Sequence, residues 1–267
     1  METRFEHQTF GKRLKSMLKV DFRRMFTMPL LYIMVGVCLV MPVLILVMTT
    51  MMDGSVTVDP QTGVETVIEG FDNTWQAITA ISTESAGMSM DLTGMCNINM
   101  LYFFVAVLVC IFTADDFRSG YAKNLFTVRA KKGDYIISKT LVDFVGGVLM
   151  ILAYFIGTML GGAIAGLPFD LGTAGVNGLV MCMVSKLLLI GVFVPIYLSW
   201  SVVGKQKLWV SLVGSLCTGM LLFMMIPALT PLDSTGMNVI LCLAGGALFS
   251  VGLGVVSNKV LGKTSLV

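Results

Sequence analysis

Long apolar runs alternate with shorter polar segments along most of the chain, and this alternation predicts a multi-pass membrane protein. A helix that crosses a membrane needs about 20 consecutive, mainly apolar residues. Six runs fit that requirement, so we predict an all-α integral membrane fold with six transmembrane helices. Their approximate bounds are 29–52, 94–114, 141–166, 178–203, 208–229 and 237–256.

The segment 1–28, which precedes the first predicted span, is polar and basic but carries apolar residues at helical spacing. Phe10, Leu14, Met17 and Phe22 recur on one side of a helix, while basic residues fill much of the other side. This pattern predicts an amphipathic helix that lies in the membrane interface. A general membrane anchor and a specific contact role both remain open for it.

The two longest polar segments between predicted spans carry opposite charge. The segment 53–93 has acidic residues but neither Lys nor Arg, and its Asp-Gly and Asp-Pro pairs predict strands and turns. The segment 115–139 is rich in basic residues and is long enough for one or two short helices. Its basic residues are Arg118, Lys123, Arg129, Lys131, Lys132 and Lys139.

The distribution of basic residues predicts the orientation. With six spans, the two ends of the chain, the segment 115–139 and the turn at Lys205 and Lys207 share one side. These places contain every Lys and Arg except Lys186. The positive-inside rule then predicts a multi-pass protein of the plasma membrane with both termini cytoplasmic and the segment 53–93 outside.

Composition supports a membrane protein and narrows its chemistry. The chain is 56% hydrophobic and 13% charged, whereas about 25% of residues are charged in a soluble protein. A net charge of +2 gives no reason to expect a nucleic-acid partner. The six cysteines show no metal-ligand spacing, and the one histidine is His7. We therefore predict no catalytic site, no metal site and no enzymatic activity in this chain.

Two ionisable residues fall within or beside the predicted spans. Lys186 lies in the outer part of the fourth span, and we expect it to extend its amine to the outer headgroups. The alternative is that Lys186 faces a central cavity, where it and Pro195 would line a substrate path. Asp143 lies at the start of the third span, where we expect it to pair with a basic residue of 115–139 rather than to carry protons.

The third predicted span also contains a GxxxG pair, Gly157 and Gly161. Small residues at this spacing let two helices approach closely in a membrane. We expect the pair to serve packing within the chain rather than a dimer interface.

The segment 115–139 carries a recognisable order of residues. An acid, Asp115 or Asp116, is followed by Gly120 and then by Lys-Asn and two apolar residues. This order resembles the membrane subunits of bacterial ATP-binding-cassette exporters of the type-2 permease family. The sequence Asp-Phe-Arg-Arg at 21–24 also resembles the lead-in helix of that family. Two positions of 115–139 depart from the family pattern: Arg129 stands where glycine is common, and Lys132 where arginine is usual. The matching residues are Asp115, Asp116, Gly120, Lys123, Asn124, Leu125, Phe126, Lys132 and Lys139.

The resemblance implies that 115–139 forms a coupling helix, which docks in a groove of a separate ATPase. Tyr121, Leu125 and Phe126 would be apolar anchors, and the basic residues of 115–139 would meet acidic residues of the ATPase. The implied partners are two cytosolic P-loop ATPase subunits, which carry the ATP and Mg, and a second copy of the chain or a homologous permease. Membrane lipid would surround the spans. The alternative is that these bases only set the topology and touch anionic lipid.

The function expected from this resemblance is ATP-driven export of an amphipathic peptide, a drug or a lipid-like substrate by alternating access. The outer segment 53–93 either recognises a cationic peptide or is only a solvated loop. One alternative is a membrane scaffold or sensor that transports nothing. A second is an ion-coupled carrier, which the scarcity of acids inside the predicted spans disfavours.

Overall fold

The structure, a computed structural model, describes residues 10–58, 65–67, 70–78, 97–128, 132–172, 174–205 and 207–263. It is helical apart from one small strand pair, in which β1 (Val56–Val58) runs antiparallel to β2 (Glu65–Val67) with Val56 opposite Val67. Short 3-10 turns occur at Thr74–Ala77 and Ile98–Met100. The helices are α1 (Phe10–Thr27), α2 (Pro29–Met52), α3 (Leu101–Arg118), α4 (Tyr121–Val128), α5 (Lys132–Ala165), α6 (Gly175–Gly204), α7 (Leu208–Phe223), α8 (Ile226–Leu229) and α9 (Gly236–Lys263).

Five of the described helices are long and apolar enough to cross a membrane: α2, α3 with the turn before it, α5, α6 and α9. The prediction of a helical membrane protein is therefore supported. The predicted fifth span differs, because it divides into α7, which has 16 residues, and the one-turn α8. Pro227 explains the break, since a proline ring clashes with the carbonyl four residues earlier, and Phe223 is the last residue of α7.

The helix of the third predicted span begins earlier than its apolar pattern indicates. The pattern predicts a start at residue 141, but α5 begins at Lys132. The additional turns are helical because they pack against other helices: Tyr135, Ser138 and Lys139 are all buried. Polar residues that the sequence assigns to a loop are therefore part of one long helix.

Close packing between α2 and α5 depends on the two glycines of the GxxxG pair. A Cβ on Gly157 would overlap the carbonyl oxygen of Leu39, and one on Gly161 would lie 2.8 Å from the Cα of Val43. Real Cβ atoms do not come this close to backbone, so only glycine permits the approach. The prediction that this pair serves packing within the chain is confirmed.

Both described ends of the chain meet the start of α5. Arg13 of α1 lies 3.0 Å from Asp134, measured from Nε to Oδ2. Lys132 Nζ donates a hydrogen bond of 2.5 Å to the carbonyl oxygen of Leu261, in the last turns of α9. The start of α1 and the end of α9 thus lie at the same end of the helix bundle, which we call the α5-start end.

The helix α7 runs away from that end alongside α3. Ser215 of α7 lies 3.3 Å from Cys110 of α3, measured between Oγ and Sγ, and the rings of Phe223 and Phe103 are 5.5 Å apart between centroids. Residue numbers rise along one helix as they fall along the other, so α7 and α3 are antiparallel. The end of α7 therefore lies at the start of α3, at the far end of the bundle.

Candidate functional site

The short helix α4 is connected to α3 by a turn that needs glycine. The amide of Ser119 donates to the carbonyl of Asp115 at 2.8 Å, which closes the last turn of α3. Gly120 follows with φ of +74°, a left-handed conformation that residues with a Cβ rarely adopt. The chain then forms α4. Gly120, selected from the sequence, thus sets the direction of α4.

The apolar residues of α4 face the protein, while its polar residues face outward. The ring of Phe126 meets the ring of Tyr135 edge to face, with 5.3 Å between centroids. Leu125 is also partly buried against the core. Lys123 and Asn124 are exposed. Of the predicted docking residues on α4, these last two are the ones most available to a partner.

Tyr121, at the start of α4, contacts two charged residues of α1. The Arg24 guanidinium lies 4.1 Å from its ring centroid, and its hydroxyl donates to Asp21 Oδ1 at 3.4 Å. Burial, together with the negative charges of Asp21 and Asp116, raises the pKa of Tyr121 to about 12. Tyr121 therefore joins α4 to α1 and remains a neutral phenol at neutral pH.

Four charged residues from three helices meet beneath Tyr121, and we call them the buried ion cluster: Asp21, Arg24, Asp116 and Lys139. Lys139 Nζ lies 2.7 Å from Asp116 Oδ2 and 3.3 Å from Asp21 Oδ1. Arg24 pairs with the other oxygen of Asp116. The side chains of Asp21, Asp116 and Lys139 have no exposed area. Two negative and two positive charges balance within the cluster.

Hydroxyl groups and a ring complete the surroundings of these charges. Tyr135 donates to Asp116 Oδ2 at 2.8 Å, and Ser138 donates to Asp21 Oδ2 at 2.6 Å. The ammonium of Lys139 lies 3.6 Å from the ring centroid of Phe112, a cation–π distance. At the edge of the cluster, Arg24 also donates to Asp115 Oδ2 at 3.1 Å. Helices α1, α3 and α5 are thereby joined, and α4 is attached through Tyr121.

The structure thus separates the residues that the sequence grouped together. Asp116 and Lys139 are internal, Asp115 pairs with Arg24, and Lys132 binds the end of α9. Arg129 and Lys131 lie outside the described residues. Sequence reasoning missed Asp21 as a buried charge, although a signal was present: it lies four residues from both Met17 and Met25, on the apolar side of α1, and all three are buried.

The opposite side of α1 is exposed and basic. Lys12, Lys15, Lys19 and Arg23 are spaced by three or four residues, and all four are exposed. Because Arg24 stacks on Tyr121, α1 and α4 are neighbours. We call these four residues and Lys123 the basic face. The prediction that α1 is an amphipathic helix is confirmed for residues 10–27.

The expectation that Lys186 extends to outer headgroups is wrong. Lys186 is 1% exposed, and its Nζ donates to Asn99 Oδ1 at 3.1 Å and to Thr230 Oγ1 at 2.9 Å. These partners keep the amine inside the bundle, where α6 meets the start of α3 and the end of α8. No carboxylate among the described residues forms an ion pair with it.

The alternative interpretation is that Lys186 and Pro195 line a substrate path. Pro195 is buried in α6. One pocket among the described residues, of about 340 Å³, is lined by loop residues that include Asn73, Asp170 and Asp233, and by neither Lys186 nor Pro195. A substrate path remains a prediction for another state of the protein.

The expected pairing of Asp143 with a basic residue of 115–139 is also not found in the described part of the chain. Asp143 is fully buried, and neither carboxylate oxygen has a hydrogen-bond partner among the described residues. Lys139, one helical turn away, pairs instead with Asp21 and Asp116. The buried acid is thus left beside a cluster whose charges are already balanced.

No protein-family model matches the chain, and neither a curated protein nor a solved structure matches it. The described residues contain no group of His, Cys, Asp and Glu that could bind a metal ion. The residues of 115–139 and the contacts that surround them are therefore the features that bear on function.

Proposed function

We propose that this chain is the permease half of an ATP-driven exporter, and that α4 is the helix through which separate ATPase subunits act on it. The observation that carries the proposal is the buried ion cluster, which ties α4 and α1 to two long apolar helices, α3 and α5. A force on α4 would then move α3 and α5 instead of bending a loose loop.

The cluster is suited to transmit force because it is costly to separate. Lys139 is enclosed together with Asp21 and Asp116, and removing one partner of such a buried pair leaves an uncompensated charge, at a cost of about 3–5 kcal/mol. The lowest-energy response to a push on α4 is a joint movement of the linked helices. That movement would alternate the access of a path between two permease halves.

The six-span topology belongs to this proposal and has geometric support. The start of α1 and the end of α9 share the α5-start end of the bundle, which requires an even number of crossings between them. Five long helices cannot satisfy this condition alone. The antiparallel course of α7 beside α3 supports α7 and α8 as the sixth crossing. Both ends would then lie on the cytoplasmic side of the plasma membrane.

The basic face supplies the surface for the ATPase. Lys19 and Lys123 are exposed, and clustered positive charges favour association with an acidic groove and speed the encounter. The competing explanation is attraction to anionic lipid, which positive charges beside a membrane also favour. The two explanations differ in whether a P-loop ATPase accompanies the purified chain.

A pulldown with a matched control tests the proposal. The tagged full-length chain is purified in mild detergent from cells of its source, and co-purifying proteins are identified by mass spectrometry. We expect a P-loop ATPase with the wild type, and its loss with the double variant Lys19→Glu/Lys123→Glu. The control is Lys259→Glu, which reverses an exposed charge on α9 outside the basic face. Absence of an ATPase from the wild-type sample contradicts the proposal.

Coupling provides the second measurement. In liposomes that contain the recovered complex, we expect the reconstituted ATPase to hydrolyse ATP faster when an amphipathic peptide or drug substrate is present. The double variant should lose this stimulation, while Lys259→Glu should keep it. Binding of the wild type to anionic vesicles, with no ATPase recovered, would instead support the lipid explanation and a scaffold or sensor role.

An ion-coupled carrier is the second candidate, because one specific observation favours it. Asp143 is a buried carboxyl without a hydrogen-bond partner among the described residues, and acids in this position often belong to proton paths. Substrate movement that follows a pH gradient and needs no ATP would favour this candidate.

A further inference from the structure

Asp143 differs from the two other fully buried acids near it. Asp21 and Asp116 each lie within 3.3 Å of Lys139 Nζ, and each accepts a hydrogen bond from a hydroxyl. Asp143 has no exposed area either, but among the described residues its oxygens accept no hydrogen bond. The same residue type thus occurs in one small region with and without the partners that an ionised carboxylate requires.

Charge balance decides which form of Asp143 fits this position. The buried ion cluster already contains two acids and two bases, and both acids are close to Lys139. An ionised Asp143 would add a third negative charge with neither a cation nor a hydrogen-bond donor to offset its loss of hydration. Burying an unpaired charge costs far more than burying a neutral carboxylic acid.

We propose that Asp143 is a proton-binding site inside the helix bundle, and that its occupancy determines whether Lys139 remains with Asp21 and Asp116. A proton fits better than a metal ion, because a hard cation requires several oxygen ligands. No metal-binding group of side chains occurs in the part of the chain that the structure describes. A proton requires one oxygen, and Asp143 offers two that are unoccupied.

The groups that act electrostatically on Asp143 come from three helices. Lys139 and Tyr135 lie on α5 itself, Asp116 and Cys110 on α3, and Asp21 on α1. Lys139 is the one cation among them, while Asp21 and Asp116 repel a negative charge on Asp143. Lys139 is therefore the group that would change partners if Asp143 lost its proton.

Loss of the proton would change the partners of Lys139. Lys139 and Asp143 are four residues apart on one helix, the spacing at which opposite charges interact. An ionised Asp143 would compete with Asp21 for the ammonium group. Weaker contact between Lys139 and Asp21 would loosen α1 from α5, because Asp21 is the buried charge of α1 in this contact.

Infrared spectroscopy tests the site directly. The full chain in liposomes at neutral pH should show the C=O stretch of a protonated carboxylic acid, shifted in D2O. That band should be lost in Asp143→Asn but kept in Asp233→Asn, which removes an exposed acid on a loop. Identical absorption by the wild type and Asp143→Asn in the region of the protonated C=O stretch would overturn the proposal, because Asp143 would then be ionised.

Thermal unfolding of three isosteric variants gives an independent readout. Asn mimics a protonated Asp, so Asp143→Asn should unfold at nearly the wild-type temperature. Asp21→Asn and Asp116→Asn should lower the midpoint, because each leaves a buried cation under-compensated. A fall with Asp143→Asn as large as that with Asp116→Asn would mean that Asp143 acts as an anion, and would overturn the proposal.

Proteolysis tests the link to α1. The basic residues on the outer side of α1 are trypsin sites, so release of α1 should speed their cleavage. As pH rises and Asp143 loses its proton, cleavage of the wild type should accelerate relative to Asp143→Asn at the same pH. A constant ratio between the two proteins at every pH would refute the effect on Lys139 and α1.

Discussion

The ammonium group of Lys139 lies 2.7 Å from the carboxylate of Asp116, and neither side chain has any exposed area. The two residues belong to α5 and α3, two of the five described helices that are long enough to cross a membrane. With Asp21 and Arg24 they connect these helices to α1. The contact that the motif resemblance led us to expect between Lys139 and a partner protein is thus replaced, in this structure, by contacts within the chain.

Lys139→Met should strongly destabilise the protein. The substitution leaves Asp21 and Asp116 short of positive charge in a buried site, and the expected loss is about 3–5 kcal/mol of unfolding free energy. Thermal unfolding in detergent, followed by circular dichroism, measures it. Lys123→Met removes an exposed lysine of α4 and is the control. Equal midpoints for the two variants would contradict the structural role of the cluster.

Lys186→Met should have a much smaller effect, although Lys186 is just as buried. Within the described part of the chain no carboxylate is left unpaired, and Asn99 and Thr230 each lose one hydrogen bond. A lost hydrogen bond costs about 0.5–1.5 kcal/mol, and removing an unpaired buried charge offsets part of this. In the same measurement, the unfolding midpoint of Lys186→Met should be well above that of Lys139→Met. The reverse order would point to an anionic partner for Lys186.

Gly157→Ala should separate α2 from α5. The added methyl group would overlap the carbonyl oxygen of Leu39, and overpacking of this kind costs about 1–3 kcal/mol. Gly252→Ala is the matched control, because a Cβ there meets no atom within 4 Å. The unfolding midpoint of Gly157→Ala should be lower than that of Gly252→Ala. A Gly157→Ala protein as stable as Gly252→Ala would contradict the α2–α5 contact.

The phenol of Tyr121 should titrate at a higher pH than an ordinary tyrosine. Its pKa is raised to about 12, from 10.0, by burial and by the charges of Asp21 and Asp116. Since the folded value exceeds the unfolded one, the stability that this group contributes is complete below pH 10 and is lost as pH rises through about 12. Alkaline absorbance titration of the wild type minus Tyr121→Phe isolates this group. A difference curve centred near 10 would contradict its burial.

Lys132→Met should destabilise the protein less than Lys139→Met does. Lys132 donates to the carbonyl of Leu261 near the end of α9, where a positive charge also interacts favourably with the helix dipole, by about 0.3–1 kcal/mol. We expect faster amide hydrogen exchange in the last turns of α9, with the cluster helices α1 and α3 unchanged. Faster exchange in α1 would show that Lys132 supports more than this one contact.

Much of the architecture follows from the sequence because it depends on local pattern. Apolar runs of sufficient length determine the long helices α2, α3, α5, α6 and α9, since burying apolar residues in a membrane needs no specific partner. The amphipathic α1 follows from the spacing of its apolar residues alone. The turn before α4 follows from Gly120, whose positive φ is one that glycine adopts readily. The spacing of Gly157 and Gly161 is likewise enough to indicate close helix packing, because it depends only on the size of two side chains one turn apart.

Only the tertiary structure decided which charges face inward, because that depends on residues far apart in the chain. Lys139 and Asp21 are separated by more than 100 positions, yet their burial is favourable only because each neutralises the other. Local pattern likewise placed Lys186 at a membrane surface and Asp143 beside a base, while the packing of α3, α5 and α6 enclosed both. Hydrophobic periodicity thus determines which segments are helices, and long-range charge pairing determines what those helices do with their few ionisable groups.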